Sequence, residues 1–469
     1  MKKLTILLFL VTLSSQAQTL TLEQCREMAI SNNRKLKIAS GRTLSSRDYI
    51  KAYRANFFPK LSATGNYLYS ESESALKLNG GFLPTFVPNP VTGNLEPNIL
   101  MTKPDGTHIF KEYAYMPDQN LKFKLGSVFS AGLVIEQPIY MGGKIRSIFR
   151  MASIGHSISQ LNEKKIEAEL ITTTDEAYYN VVRTIELIKA AESYKAVVSE
   201  LLRQVGNVTR QGMRTHNDLL KVQVRMNEAE LKVRQAENAF RLARMNLCHW
   251  IGLPLDCKID VAGVNAGEEL TDRVIDITSR PEYAILQQQI ALKHQQVRLT
   301  KSDYLPQVAI SASYNYTNGV QFNDSPLMNS GAFMGGVSIK IPLFHWGEGY
   351  NKISAARREV DIAKYELEDV SELMILEATQ ALNNYDEALL EEALMEKALN
   401  AAHENMLSSR NAYQAGTETL SNHLEAQAIW QKNMAELIDA KARVRTTYSN
   451  YQKAAGVLLS TQTDKHNNE

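Results

Sequence analysis

The sequence predicts a mainly α-helical chain with a membrane-type β component, written twice over. Three observations carry that prediction. Landmark residues recur at a fixed spacing, the long proline-free stretches keep a seven-residue apolar repeat, and each copy holds two segments of strict two-residue alternation.

The repeat comes first, because it governs every later assignment. Pro138 and Pro342, Gly143 and Gly347, Gly212 and Gly416, and Gly252 and Gly456 are each 204 residues apart. Upstream, FFPKLSATGNYLY (57–69) matches YLPQVAISASYNY (304–316) at a spacing of 247, as Pro59 and Pro306 show, and NNRKL (32–36) matches SRPEY (279–283) likewise. The difference is 43 residues inserted in the first copy between Pro59 and Pro138. Six of the thirteen prolines (Pro84, Pro88, Pro90, Pro97, Pro104 and Pro117) fall within 70–120, so the insert reads as a long surface loop. The expected organisation is a first repeat over 18–252, an inter-repeat segment over 253–278, a second repeat over 279–456 and a polar tail over 457–469.

Each copy supplies one β-hairpin. In the first strand Leu61, Ala63, Gly65, Tyr67 and Tyr69 alternate with Ser62, Thr64, Asn66 and Ser70; its return strand places Leu121, Phe123, Leu125, Phe129, Ala131, Leu133 and Ile135 on one side. In the second copy Val308, Ile310, Ala312, Tyr314 and Tyr316 alternate with polar residues, and Val337, Ile339 and Ile341 return. A period of two means half-buried strands.

The remaining length is helical. From Lys144 to Gly212 there is no proline, and a helix of that length spans roughly 100 Å. Apolar pairs recur every seven residues at Leu219/Val222, Met226/Ala229, Val233/Ala236, Phe240/Ala243 and Leu247/Trp250. A second seam runs through Ile353, Val360, Leu367, Met374, Ala381, Ala388 and Met395. Sustained sevens make helices wind around neighbours.

The chain opens MKKLTILLFLVTLSSQAQ, two lysines before a short apolar run and small residues, which reads as a secretory signal peptide over 1–17. No later stretch is long and apolar enough for a membrane-spanning helix. With 52 basic and 51 acidic residues the charge is balanced, which points away from nucleic acid. Cys25, Cys248 and Cys257 lack metal spacing; Cys248 and Cys257 flank the turn IGLP and could pair in an oxidising compartment.

Enzyme chemistry finds no support. Gly142-Gly143-Lys144 is followed by Ile145 where a phosphate loop needs a hydroxyl, and the nine histidines are scattered without a metalloprotease pattern. No cofactor and no metal site are expected. Four strands with one apolar face cannot close a transmembrane barrel, which takes about eight strands or more, and an open edge cannot lie in lipid. Other copies of the chain must pair those edges, two copies giving eight strands and three giving twelve.

The duplicated helix–hairpin–helix plan, the strand starts FPK and LPQ, the segments QPIYMGGK and IPLFHWGE ahead of the long helices, and the two glycine breaks resemble the TolC family of outer-membrane efflux proteins. The resemblance covers nearly the whole mature chain. It implies a homotrimer: a twelve-stranded β-barrel, four strands per chain, set in outer-membrane lipid and continuous with a long α-helical coiled-coil barrel through the periplasm. It implies an exit duct for small toxic compounds or drugs, joined by a periplasmic adaptor to an inner-membrane pump. A protein-secretion duct of type I systems is the alternative on the same fold; a structural periplasmic coiled-coil spacer is the rival from another class.

The glycine breaks are where the resemblance places function. A glycine takes the left-handed conformation that ends a helix and reverses the chain. Gly212 with Met213, and Gly416 with Thr417, would be the periplasmic tip turns that meet the adaptor. Asp218 and Tyr413 match the aspartate and tyrosine that hold the family's tip shut by a hydrogen bond, so Tyr413→Phe is expected to raise conductance. Two positions depart from the pattern: Glu418 stands where an arginine is common, and Asn422 where an aspartate of the constriction ring is. Glu425, three residues on, still offers a carboxylate, and three chains would set three around the axis as a cation-attracting ring.

Overall fold

The computed structural model describes residues 19–263 and 273–458. The expected signal peptide, residues 264–272 of the inter-repeat segment and the tail beyond 458 lie outside the described residues.

Among these residues the helices are α1 (Leu22–Asn32), α2 (Arg34–Arg54), α3 (Lys144–Arg210), α4 (His216–Trp250), α5 (Pro281–Ser302), α6 (Glu348–Gln414) and α7 (Leu420–Ala454). The duplication is exact in length: α3 and α6 have 67 residues each, α4 and α7 have 35 each. None of them is long and apolar enough to cross a membrane. The chain divides into two compact units, one of helices (residues up to 51, 148–297 and from 351 on) and one built around the sheet (52–147 and 298–350).

In the helical unit the seven-residue seams are the core. Val222, Ala229, Val233, Ala243 and Leu247 of α4 and Val360, Met374 and Ala388 of α6 are buried. One apolar cluster draws on all four long helices, with Val198 and Val205, Val222, Met406, and Leu424 and Trp430 at its centre. A second gathers Leu20, Cys25, Tyr178, Val181, Leu247 and Ile251. The pairing that the cysteine spacing left open is formed: Cys248 and Cys257 are disulfide-bonded with Cα atoms 6.5 Å apart. Beyond it, a two-residue strand β11 (Asp260–Val261) lies parallel to β1 (Thr19–Leu20), tying the start of the described chain to the inter-repeat segment. The helix ends repeat too. Asn33 Nδ2 donates to the carbonyl of Trp250 at 2.8 Å, and Arg280 Nη1, at the equivalent position, to that of Ala454 at 3.4 Å.

In the sheet unit the long strands are β2 (Lys60–Tyr69), β10 (Gln119–Met141), β12 (Gln307–Phe322) and β13 (Ser325–Lys340), antiparallel in the order β13-β12-β10-β2. The expected alternation survives pairing. Ala63, Leu133, Tyr314 and Phe333 stand in one cross-strand row, and Thr64, Gly132, Asn315 and Ala332 in the next. Successive rows therefore face opposite sides, one carrying aromatic and branched residues and the other mostly small and polar ones. Asn323 and Asp324, both at positive φ, close the β12–β13 hairpin in two residues, as a turn matched to strand twist requires. The outer edges of β13 and β2 have no strand partner among the described residues.

The insert over 70–120, expected as a long surface loop, is built largely of short paired strands. Its first strand, β3 (Glu73–Leu78), follows β2 and pairs with β10 from Gln119 to Lys124, adding a fifth strand to the sheet. The rest forms three small hairpins: β4 (Gly81–Pro84) with β9 (Tyr113–Met116), β5 (Phe86–Pro88) with β6 (Leu95–Pro97), and β7 (Ile99–Thr102) with β8 (His108–Phe110). They meet at a junction where Asn98 N–H donates to Thr85 O at 2.9 Å and Lys111 N–H to Asn98 O at 2.7 Å. Proline density misled because Pro84, Pro88 and Pro97 each occupy the last residue of a short two-stranded element. There a missing N–H disturbs no sheet interior.

Candidate functional site

Both glycine breaks fold alike, and their chemistry is local. At the end of α3, Gly212 N–H donates to Thr209 O at 3.0 Å and Met213 N–H to Val208 O at 3.1 Å; at the end of α6, Gly416 N–H donates to Tyr413 O at 3.2 Å and Thr417 N–H to Ala412 O at 3.0 Å. This paired pattern ends a helix on a left-handed residue. Gly212 and Gly416 have φ of 77° and 76°, and a Cβ at either would meet nothing within 4 Å. Conformation alone, not crowding, selects glycine there. Three residues later a threonine restarts the helix: Thr215 Oγ1 accepts from Asp218 N–H at 3.2 Å, and Thr419 Oγ1 from Asn422 N–H at 3.3 Å. Each turn is thus a Gly-x-x-Thr unit, legible in GMRT and GTET but not recognised from the glycines alone.

The expected residues take distinct places on this frame. Met213 and Thr417 are exposed on the turns, Met213 at 67%. Asp218 and Asn422 sit at equivalent positions in the first turn of α4 and α7, and Glu425 follows Asn422 at three residues, both exposed. Tyr413 is buried, and among the described residues no hydrogen bond joins its hydroxyl to Asp218.

What does hold Tyr413 was not foreseen. The Arg214 guanidinium, from the first turn, lies over its ring with Cζ 4.8 Å from the centroid. The same ring stacks on His423 of α7, centroids 5.5 Å apart and planes 8° from parallel. His423 is buried, with Nδ1 3.4 Å from Ser409 Oγ and Nε2 2.8 Å from Gln427 Nε2. Burial pushes the Tyr413 phenol up, against the nearby Arg214 and with Asp218. Burial pushes the His423 imidazole down, with Glu418 opposing and Arg410 assisting. Nothing in the periodicity marks His423 or Gln427, because an apolar seam residue would fit the same spacing.

No group of acidic, histidine or cysteine side chains able to hold a metal occurs among the described residues. Residues 25–253 and 277–457 match the family described as outer membrane efflux protein. The chain belongs to that family. It is 20% identical over 349 residues to the outer membrane protein TolC of Escherichia coli (strain K12), covering 70% of this chain and 69% of that one. It is 25% identical over 169 residues to the outer membrane efflux protein BepC of Brucella suis, covering 36% of each. Among solved structures, the CmeC outer membrane channel of Campylobacter jejuni superposes with a TM-score of 0.72 at 18% identity, over 95% of this chain and 88% of that one. The open-state MtrE outer membrane channel of Neisseria gonorrhoeae does so with a TM-score of 0.66 at 16% identity, over 93% and 89%. The fold is therefore that of the outer-membrane channels: mainly α with a membrane β-sheet, and internally duplicated. This efflux-family protein resides in the outer membrane and reaches into the periplasm, and it is a channel protein rather than an enzyme.

Proposed function

We propose that three copies of this efflux-family protein close a twelve-stranded barrel and form the outer-membrane exit duct of a tripartite pump, passing small toxic compounds or drugs delivered through a periplasmic adaptor. The observation that carries this reading is the sheet with two unpaired edges. Such edges are untenable in lipid unless another chain pairs them, and cyclic symmetry supplies that pairing. A second feature agrees: α4 and α6 leave Leu220, Val224, Leu231, Leu373, Leu376 and Leu390 exposed in the single chain, an apolar surface suited to neighbouring helices.

On this reading Met213 and Thr417 contact the adaptor and the tips are the closable end. Asp218, Asn422 and Glu425 face the passage, and Tyr413 fastens it. An adaptor that binds the open tip more tightly than the closed one shifts the population towards open. Energy comes from the inner-membrane pump, so the duct itself performs no chemistry.

The test is the mass of the detergent-purified complex before and after heating, together with compound susceptibility of a deletion strain. A heat-dissociable trimer and a deletion strain sensitised to small toxic compounds are expected. A soluble monomer would remove the duct. A trimer whose deletion spares compound resistance and stops export of a secreted protein would move the cargo to proteins.

A further inference from the structure

The closed tip needs a fastening, and within one chain the described residues supply one that differs from the hydrogen-bonded lock expected from the family. Arg214 lies between Gly212 and the capping Thr215 of the first turn, while Tyr413 and His423 belong to the last turn of α6 and the start of α7. The contact of Arg214 with the Tyr413 ring at 4.8 Å therefore joins the two tip hairpins. A guanidinium over an aromatic face is attracted by the ring quadrupole, and more strongly where water is excluded. Tyr413 is only 9% exposed and His423 2%. The ring is held in place by its parallel stacking on His423, and His423 in turn by Ser409 and Gln427.

We propose that Arg214, Tyr413 and His423 form the clasp that keeps the two tip turns of each chain together, with the arginine supplied by the first turn because the second carries Glu418 in its place. The inference rests on the reading of the tip as the closable end of the duct.

The clasp carries a proton sensitivity of defined sign. The Gln427 amide nitrogen donates to His423 Nε2, which leaves the single imidazole proton on Nδ1, directed at Ser409 Oγ. Gln427 Oε1 is buried without a hydrogen-bond partner, so a proton added at Nε2 finds an acceptor only if that amide turns over. The charged groups around His423 are Arg410 on α6 and Glu418 on the second turn; Arg214 and Asp218 act on the Tyr413 ring that it stacks against. A proton on His423 puts a second cation against the ring that Arg214 occupies; the ring quadrupole attracts it, but burial of the charge, repulsion from Arg214 and Arg410 and the want of an acceptor at Nε2 oppose it, with Glu418 offsetting part of the cost. Acid therefore loosens the clasp.

Single-channel conductance of the full-length trimer in planar bilayers tests this, each variant being first shown to keep its trimer mass in detergent. Arg214→Ala and Tyr413→Leu are expected to raise conductance severalfold at neutral pH. Tyr413→Phe, which keeps the ring and loses only the hydroxyl, is expected to match the parent. Acidification is expected to raise the conductance of the parent but not of His423→Gln. If Arg214→Ala leaves conductance unchanged while Tyr413→Phe or Asp218→Asn raises it, a hydrogen-bonded lock closes the tip and the clasp is overturned, with the tip reading intact. If even the combined Arg214→Ala, Asp218→Asn and Tyr413→Leu changes nothing, the tip is not the closure, and both readings fall together.

Discussion

Arg26 grips Asp175 across 149 residues of sequence, Nε on Oδ1 and Nη2 on Oδ2, each at 2.6 Å. The carboxylate is fully buried and also accepts from Ser449 Oγ at 2.7 Å. One buried anion thus ties α1 to α3 and α7. Asp175→Ala leaves the guanidinium without its partner and is expected to cost about 3–5 kcal/mol. Arg26→Met with Asp175→Leu removes both charges and should cost much less. Thermal unfolding of the two variants checks this; equal losses would mean that the pair adds nothing beyond its packing volume.

The three cysteines should be chemically distinct. Burial, with Asp175 close by, pushes the Cys25 thiol up to about 12, and only the thiolate reacts. Mass spectrometry after alkylation is expected to find no label on the folded protein, one after denaturation without reductant and three with it. Replacing Cys248 and Cys257 by alanine opens the short loop between α4 and β11, with an expected loss of about 2–3 kcal/mol.

At the tips, Gly416→Val forces a branched side chain into the left-handed region. An expected cost of about 1–2 kcal/mol follows from the backbone conformation, since a Cβ there would meet nothing within 4 Å. Gly335→Ala, in β13 at ordinary φ, is the control and should stay within about 0.5 kcal/mol. Melting temperatures of both variants decide between conformation and crowding as the reason for the glycine.

Acid should weaken the tip region through His423. Its ordinary value is 6.5 and burial lowers it in the folded chain. Between those two values the unfolded chain holds a proton that the folded one lacks, so stability falls as pH falls through that window and is fully present above 6.5. His423→Gln is expected to flatten this part of the stability profile. A profile of unchanged slope would assign the acid sensitivity to other groups.

Removing residues 81–116 should leave the sheet standing. The insert closes at its base, where Gly80 N–H donates to Asp118 Oδ1 at 2.6 Å and β3 already pairs with β10. A short turn between Gly80 and Pro117 is expected to preserve the detergent mass of the complex. Loss of assembly on that deletion would give the hairpins a structural part that their pairing does not suggest.

The sequence by itself determined the duplication, the helix seams, the strand faces and the position of both glycine turns. These are periodic or local signals: a seven-residue repeat, a two-residue alternation and a glycine that only a left-handed turn requires. Val222 and Ala229 are buried where the heptads put them, and Ala63 and Leu133 share a face as alternation demands. Only the tertiary structure decided that the insert is a set of hairpins, that Cys248 meets Cys257, and that Arg214 lies on Tyr413. Each is a contact whose distance and direction depend on how the intervening chain packs, and no period in the sequence records it. His423 shows the difference most plainly, for its place on α7 is fixed by helix geometry while its ring partner is 10 residues away on another helix, across the Gly416 turn.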